Sequence, residues 1–205
     1  MRTNTVPMDL APQTANKIRA FVAIRLDAGT ERALRNLIDE LRAPGDGINW
    51  AQRTNLHLTL RFLGAAVDSG LIQPLIERLK AIAGETAPFA VAARGIGAFP
   101  NLLRPRVIWA ALEGEELLAL ASRVERAAVE SGFEAERRPY SPHLTIGRVR
   151  DLRRWAPLRQ RLETAAEREF GRSTIETMTL YESRLSSAGA TYREIAEFRF
   201  VAKKR

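Results

Sequence analysis

The chain has two histidines, and each opens the same kind of tetrapeptide: His57-Leu58-Thr59-Leu60 and His143-Leu144-Thr145-Ile146. In an extended strand residues i and i+2 share a face, so each copy presents one imidazole and one hydroxyl side by side. Imidazoles titrating near their ordinary value of about 6.5 serve as one base and one acid at neutral pH. Hydroxyls beside them can donate to non-bridging oxygens. Two such half-sites facing across a cleft would hold the imidazoles on opposite sides of a bound group. That geometry suits in-line displacement at phosphorus, one His deprotonating the nucleophile and the other protonating the departing oxygen. Arg148, five residues after His143, would neutralise phosphate charge. Such chemistry needs neither a metal nor a covalent nucleophile.

Other readings of these residues have less support. A lone His-x-Thr is most often a histidine that happens to begin a strand, but here both histidines carry the pattern. A metal site would need carboxylates, and neither motif has an acidic residue within five positions on either side. Ser186-Ser187 has no recognisable base partner, and no glycine-rich phosphate loop or dinucleotide fingerprint occurs. Cysteine is absent, which excludes disulfides and cysteine nucleophiles and suits a reducing cytoplasm. A net charge of +8 is what a polyanionic partner such as nucleic acid would require, although a soluble arginine-rich protein would share it. No apolar run is long enough to span a bilayer.

The elements that must position the motifs follow from periodicity. Residues 1–16 have none and read as a disordered leader, leaving 17–205 as one folded unit of two tightly joined lobes. Residues 18–24 form a first strand. Asp27 caps a helix over about 29–42, and His57 to Leu63 is the first motif strand, closed by Gly64. A second helix runs to about Ala83, and Phe89 to Ile96 is a strand. Arg106 to Leu112 is a strongly apolar strand with Trp109 in the core, followed by a helix over 115–131. Residues 133–136 suggest a short strand, and His143 to Val149 is the second motif strand. Arg153 to Glu169 reads as a basic helix, before strands over 175–181 and 192–201. The run Arg148, Arg150, Arg153, Arg154, Arg159, Arg161 is either a solvated face or a seat for a nucleic-acid strand. Trp50 and Phe62 are core residues or base-stacking platforms, and Tyr140, in a Pro-bounded approach to the second motif, would line the cleft.

The order strand, helix, motif strand occurs twice with equal offsets. It predicts an α+β fold of two pseudo-symmetric lobes, each an antiparallel or mixed sheet with helices outside, facing across a central cleft.

The chain resembles the two-histidine phosphoesterases, and within them the bacterial and archaeal RNA 2′,3′-cyclic phosphodiesterases, also called 2′-5′ RNA ligases. The resemblance rests on five stretches: Arg19–Ile24, Trp50 with Asn55–Gly64, Arg106–Trp109, Pro142–Arg148, and Leu180–Ser183 with Gly189–Tyr192. It implies a bilobal fold around a basic cleft, and opening of a 2′,3′-cyclic phosphate at an RNA 3′ end to leave a 2′-phosphate. His57 would be the proton donor to O3′ and His143 the proton acceptor from water, although a pseudo-symmetric site invites the reverse. Thr59 and Thr145 would hold the non-bridging oxygens, with Arg148 and Tyr140 on the substrate. The partner implied is RNA with cyclic phosphate ends, tRNA-like fragments among them, acted on by a cytoplasmic monomer without metal or cofactor. Reverse 2′-5′ joining of RNA ends would be run with a terminal 5′-hydroxyl. Two rivals remain: an RNA 3′-end binding module with slow turnover, and a relative acting on 2′-5′ oligonucleotides or small cyclic phosphates.

Overall fold

The computed structural model describes residues 17–52, 56–186 and 189–201. The expected leader, 1–16, lies outside them. The strands among the described residues are β1 (Lys17–Ile24), β2 (Ile48–Trp50), β3 (Leu58–Asp68), β4 (Phe89–Phe99), β5 (Val107–Glu113), β6 (His143–Val149), β7 (Glu169–Ile175), β8 (Thr177–Ser186) and β9 (Gly189–Arg199). The α-helices among the described residues are α1 (Ala28–Leu41), α2 (Ile72–Gly84), α3 (Glu115–Glu130) and α4 (Trp155–Thr164). The α+β reading holds.

The strands form one sheet in the order β7-β4-β5-β6-β3-β1-β8-β9, with β2 on β6. Every pairing is antiparallel. Two sheets were expected; instead, two four-stranded halves, β9-β8-β1-β3 and β6-β5-β4-β7, join where the motif strands meet. That junction is a single ladder pair, Leu58 opposite Leu144, both fully buried.

The helices α1 and α3 cross between halves. α1 follows β1 in sequence but packs on β7 of the other half, and α3 follows β5 but packs on β3. Asp27 caps α1 by accepting from the Thr30 amide at 2.8 Å, satisfying one orphan N–H of the first turn. The same turn is tied to β7. Thr30 Oγ1 donates to the Arg172 carbonyl at 3.2 Å, and the Asp27 amide donates to Ser173 Oγ at 3.1 Å. The helical stripes Leu34, Leu37, Ile38, Leu41 and Leu117, Leu120, Ala121, Val124 are buried against the convex side of the sheet, leaving the concave side for function.

Three departures from expectation stand out. Gly64 does not close β3: at φ +144 it takes a conformation other residues avoid, forms an irregularity against Ala20, and the strand continues to Asp68. Residues 133–136 form no strand; Phe133 is buried at the end of α3, and the Glu136 amide donates to Glu125 Oε1 at 2.8 Å. The basic helix ends at Thr164, not Glu169, because Phe170, Ser173 and Ile175 point into the interior from a further strand, β7.

Candidate active site

The motif strands carry matching irregularities. In β3, Val22 faces Arg61 but Ala23 faces Thr59, so Leu60 is an extra residue. In β6, Ile108 faces Gly147 but Trp109 faces Thr145, so Ile146 is extra. Each His-x-Thr is therefore followed by a bulge, at which two consecutive residues turn inward: Leu60 with Arg61, and Ile146 with Gly147, all buried. The next residue, Phe62 in one half and Arg148 in the other, returns to the concave face. Strict alternation would have put Arg148 with Leu144 and Ile146. The bulge instead places it near Tyr192, whose phenol burial pushes up while Arg148 and Arg19 draw it back down.

Since Leu58 opposes Leu144, the positions on either side bring His57 abreast of Thr145 and Thr59 abreast of His143. All four are half-buried on one face. Each imidazole thus sits beside the hydroxyl of the other motif. The strands are antiparallel, so Arg148 lies beyond Thr145 at the His57 end and Phe62 lies beyond Thr59 at the His143 end.

Each imidazole is held by neighbours. His143 Nδ1 is 2.7 Å from the Ser141 carbonyl, which accepts its proton and leaves Nε2 as the lone-pair nitrogen. Phe99 stands edge-on to that ring at 4.9 Å and leans on Trp109 at 5.2 Å. Trp109 is not a core residue, as its sequence suggested. It shares the concave face with Thr145, and its ring covers Gly97, where a Cβ would come within 2.3 Å of Cζ2. His57 stacks on Phe21 at 4.9 Å and Phe21 stacks on Tyr181 at 5.3 Å, while Tyr192 stands edge-on to His57 at 5.1 Å. Phe21, Tyr181 and Tyr192 are site residues that sequence reasoning missed as such. Their signal was apolar residues at the non-core parity of β1, β8 and β9.

A cavity of about 300 Å³ opens beside His57, lined among others by Leu56, Tyr181, Tyr192 and Glu194. Tyr140 reaches the site through Thr59: its hydroxyl donates to the Thr59 carbonyl at 3.1 Å, and burial pushes its phenol well above the ordinary range. Trp50 is core, donating from Nε1 to Asp46 Oδ2 at 2.7 Å, whereas Phe62 is 38% exposed. Most of the arginine run beyond the second motif is engaged locally. Arg153 pairs with Asp151 at 2.9 Å and Arg159 with Glu163 at 2.7 Å, and Arg161 donates to the Glu40 and Leu41 carbonyls. Arg148 has no carboxylate partner among the described residues.

A profile of the LigT like phosphoesterases matches residues 24–109 and 112–192. A Methanothermobacter thermautotrophicus protein named RNA 2′,3′-cyclic phosphodiesterase is 32% identical over 184 residues, covering 89% of this chain and 99% of that one. An Aquifex aeolicus protein of the same name is 30% identical over 184 residues, covering 88% and 96%. Among solved structures, a Thermus thermophilus protein superposes with a TM-score of 0.75 at 27% identity, covering 91% of this chain and all of that one. Escherichia coli LigT in apo form superposes at 0.72 with 24% identity, over 90% and 98%, and shares the fold.

Proposed function

The chain belongs to the LigT like phosphoesterase family, and on that premise we propose that it hydrolyses RNA 2′,3′-cyclic phosphate termini to 2′-phosphates by two-histidine acid/base catalysis. The observation that carries the reading is the antiparallel meeting at Leu58 and Leu144, which sets two imidazoles and two hydroxyls abreast on one concave face. A cyclic phosphate seated there has an imidazole at each end. His143 Nε2 takes a proton from water as its oxygen bonds to phosphorus. The P–O3′ bond breaks, and His57 gives O3′ its proton. Nδ1 of His143 bound to the Ser141 carbonyl favours this direction, because it aims an unprotonated nitrogen at the cleft. Thr59 and Thr145 donate to the non-bridging oxygens, where charge accumulates. Arg148 compensates that charge from the His57 end. Tyr140 serves the site by fixing the Thr59 backbone.

The donor set supplies acid, base and hydrogen bonds without a cofactor. Residues 17–205 are read as one bilobal domain, acting as a cytoplasmic monomer. No described helix is long and apolar enough to cross a membrane. The same ring opening with a 5′-hydroxyl in place of water would join RNA ends through a 2′-5′ bond.

The test is hydrolysis of an RNA oligonucleotide ending in 2′,3′-cyclic phosphate, in EDTA, by wild type, His57→Ala and His143→Ala. A 2′-phosphate product from wild type alone is expected, with a bell-shaped pH profile of kcat/KM for the wild type. A profile flat from about pH 5 to 9 would count against a histidine acid and base. Binding of the oligonucleotide without turnover would move the reading to an RNA 3′-end binding module.

A further inference from the structure

Arg19 shares the concave face of β1 with Phe21 and Ala23. Its guanidinium carbon lies 4.4 Å over the centroid of Phe62. Phe62 is one of the few large apolar side chains left exposed, and it occupies the position after the bulge that Arg148 occupies in the other half. The two halves thus present a guanidinium each: Arg148 directly, and Arg19 by way of an aromatic seat. Neither has a carboxylate partner among the described residues. On the same face, by contrast, Arg25 is neutralised by Glu31 at 2.9 Å. Both lie close enough to Tyr192 for their charge to act on its phenol.

The seat decides what Arg19 can reach. Ala23 faces Thr59 and Phe21 faces Phe62, so Phe62 stands one same-face step, about 7 Å along the strand, beyond Thr59. Stacking pins the planar guanidinium there while leaving its N–H edges open to a ligand. Arg148 has no such tether and can lean over the reacting phosphate. Arg19 stays a step away, a separation comparable to that of consecutive phosphates on an extended strand.

We propose that Arg19, seated on Phe62, binds the backbone phosphate adjoining the reacting one, and so makes this site select RNA oligonucleotides over mononucleotide cyclic phosphates. The proposal rests on the reading of the cleft given above. It makes Arg19 a specificity residue, since it touches a part of the substrate that does not react.

The experiment compares kcat/KM for a mononucleotide 2′,3′-cyclic phosphate and for a short single-stranded RNA ending in 2′,3′-cyclic phosphate, with wild type, Arg19→Gln, Arg19→Lys and Phe62→Leu. Arg19→Gln should lower the oligonucleotide-to-mononucleotide ratio by about ten- to a hundredfold, as expected for one charge-assisted hydrogen-bonded contact. It should also flatten the dependence of log KM on log salt for the oligonucleotide by about 0.7, the value for one phosphate contact on a single strand. Arg19→Lys keeps the charge without the planar fork, and Phe62→Leu removes the seat, so both should give intermediate ratios. An equal loss on both substrates would overturn the proposal by placing Arg19 on the reacting phosphate or in the fold. An unchanged ratio would overturn it too. Failure of wild type on both substrates would sink the cyclic phosphodiesterase reading itself, a result distinct from either.

Discussion

Replacing Tyr140 with Phe removes one oxygen and tests how the site is held. β3 and β6 share a single ladder pair. Just past it, the Thr59 carbonyl accepts from the Tyr140 hydroxyl at 3.1 Å. A hydrogen bond of this kind contributes about 1 kcal/mol, and a buried carbonyl left without a partner costs up to about 3 kcal/mol. For a chain of this size each kcal/mol lowers Tm by about 2–4 °C. Thr59 keeps its own hydroxyl, so only its alignment suffers. If about 1 kcal/mol of that alignment is expressed in the transition state, kcat/KM falls roughly fivefold. Thr59→Ala, which removes the proposed donor itself, should cost about 2–4 kcal/mol. The assay pairs urea denaturation followed by circular dichroism with kinetics on a cyclic phosphate RNA. The reasoning predicts a lower urea midpoint at unchanged m and a kinetic loss smaller than that of Thr59→Ala. An unchanged midpoint with KM raised tenfold or more would refute it, since the hydroxyl would then be donating to substrate.

Gly97→Ala should destabilise by about 1–3 kcal/mol, because its Cβ would drive the Trp109 ring towards Phe99 and His143. Gly84→Ala, in open space near the end of α2, is the control in thermal melts and should be neutral or stabilising. Arg61 is buried, forms an ion pair with Glu125 at 2.5 Å and donates to the Phe62 carbonyl at 2.6 Å, so Arg61→Ala should cost about 3–5 kcal/mol in urea unfolding. The exposed pair Arg78–Glu130 should cost about 0–1 kcal/mol when broken. Burial raises the phenols of Tyr140, Tyr181 and Tyr192, which fixes a sign. Their contribution is whole below the unfolded value of about 10 and is lost as pH climbs from there through the folded values. Tm should fall above that pH, and Tyr181→Phe should lessen the fall.

What the sequence reveals here is what repeats. His57 and His143, each with a threonine two residues on, are legible because strand alternation alone puts both on one face, and the equal offsets of the flanking elements give the two halves. What it hides depends on contacts between distant segments. The bulge after each motif is set by register against β1 and β5, so the destination of Arg148 does not follow from local alternation. Trp109 reads as core because its neighbours Ile108 and Ala110 are core, yet its own parity belongs to the cleft. β7 is masked by the arginine-rich stretch before it, whose helical period runs on through Glu163 and Glu167, while only Phe170, Ser173 and Ile175 betray a strand. Tyr140 is conspicuous in sequence, but its partner is a backbone carbonyl, which no side-chain pattern records.

The exchange of α1 and α3 between the halves bears on how this enzyme meets its substrate. Each half lends the other a helix, so prising the halves apart would strip Leu34 and Leu37 from one and Leu120 and Val124 from the other. At about 1.5–3 kcal/mol for each such side chain exposed, a clamshell opening is a rare excursion, and the closed arrangement is the one a substrate meets. The cleft is therefore a fixed trough, and selection must occur at its mouth. A chain end can be laid in lengthwise, whereas a phosphodiester in the middle of a structured RNA meets a channel that does not widen for it. Turnover should accordingly depend on how freely the 3′ end frays, and a terminus sequestered in a stable duplex should be processed only as fast as it comes undone.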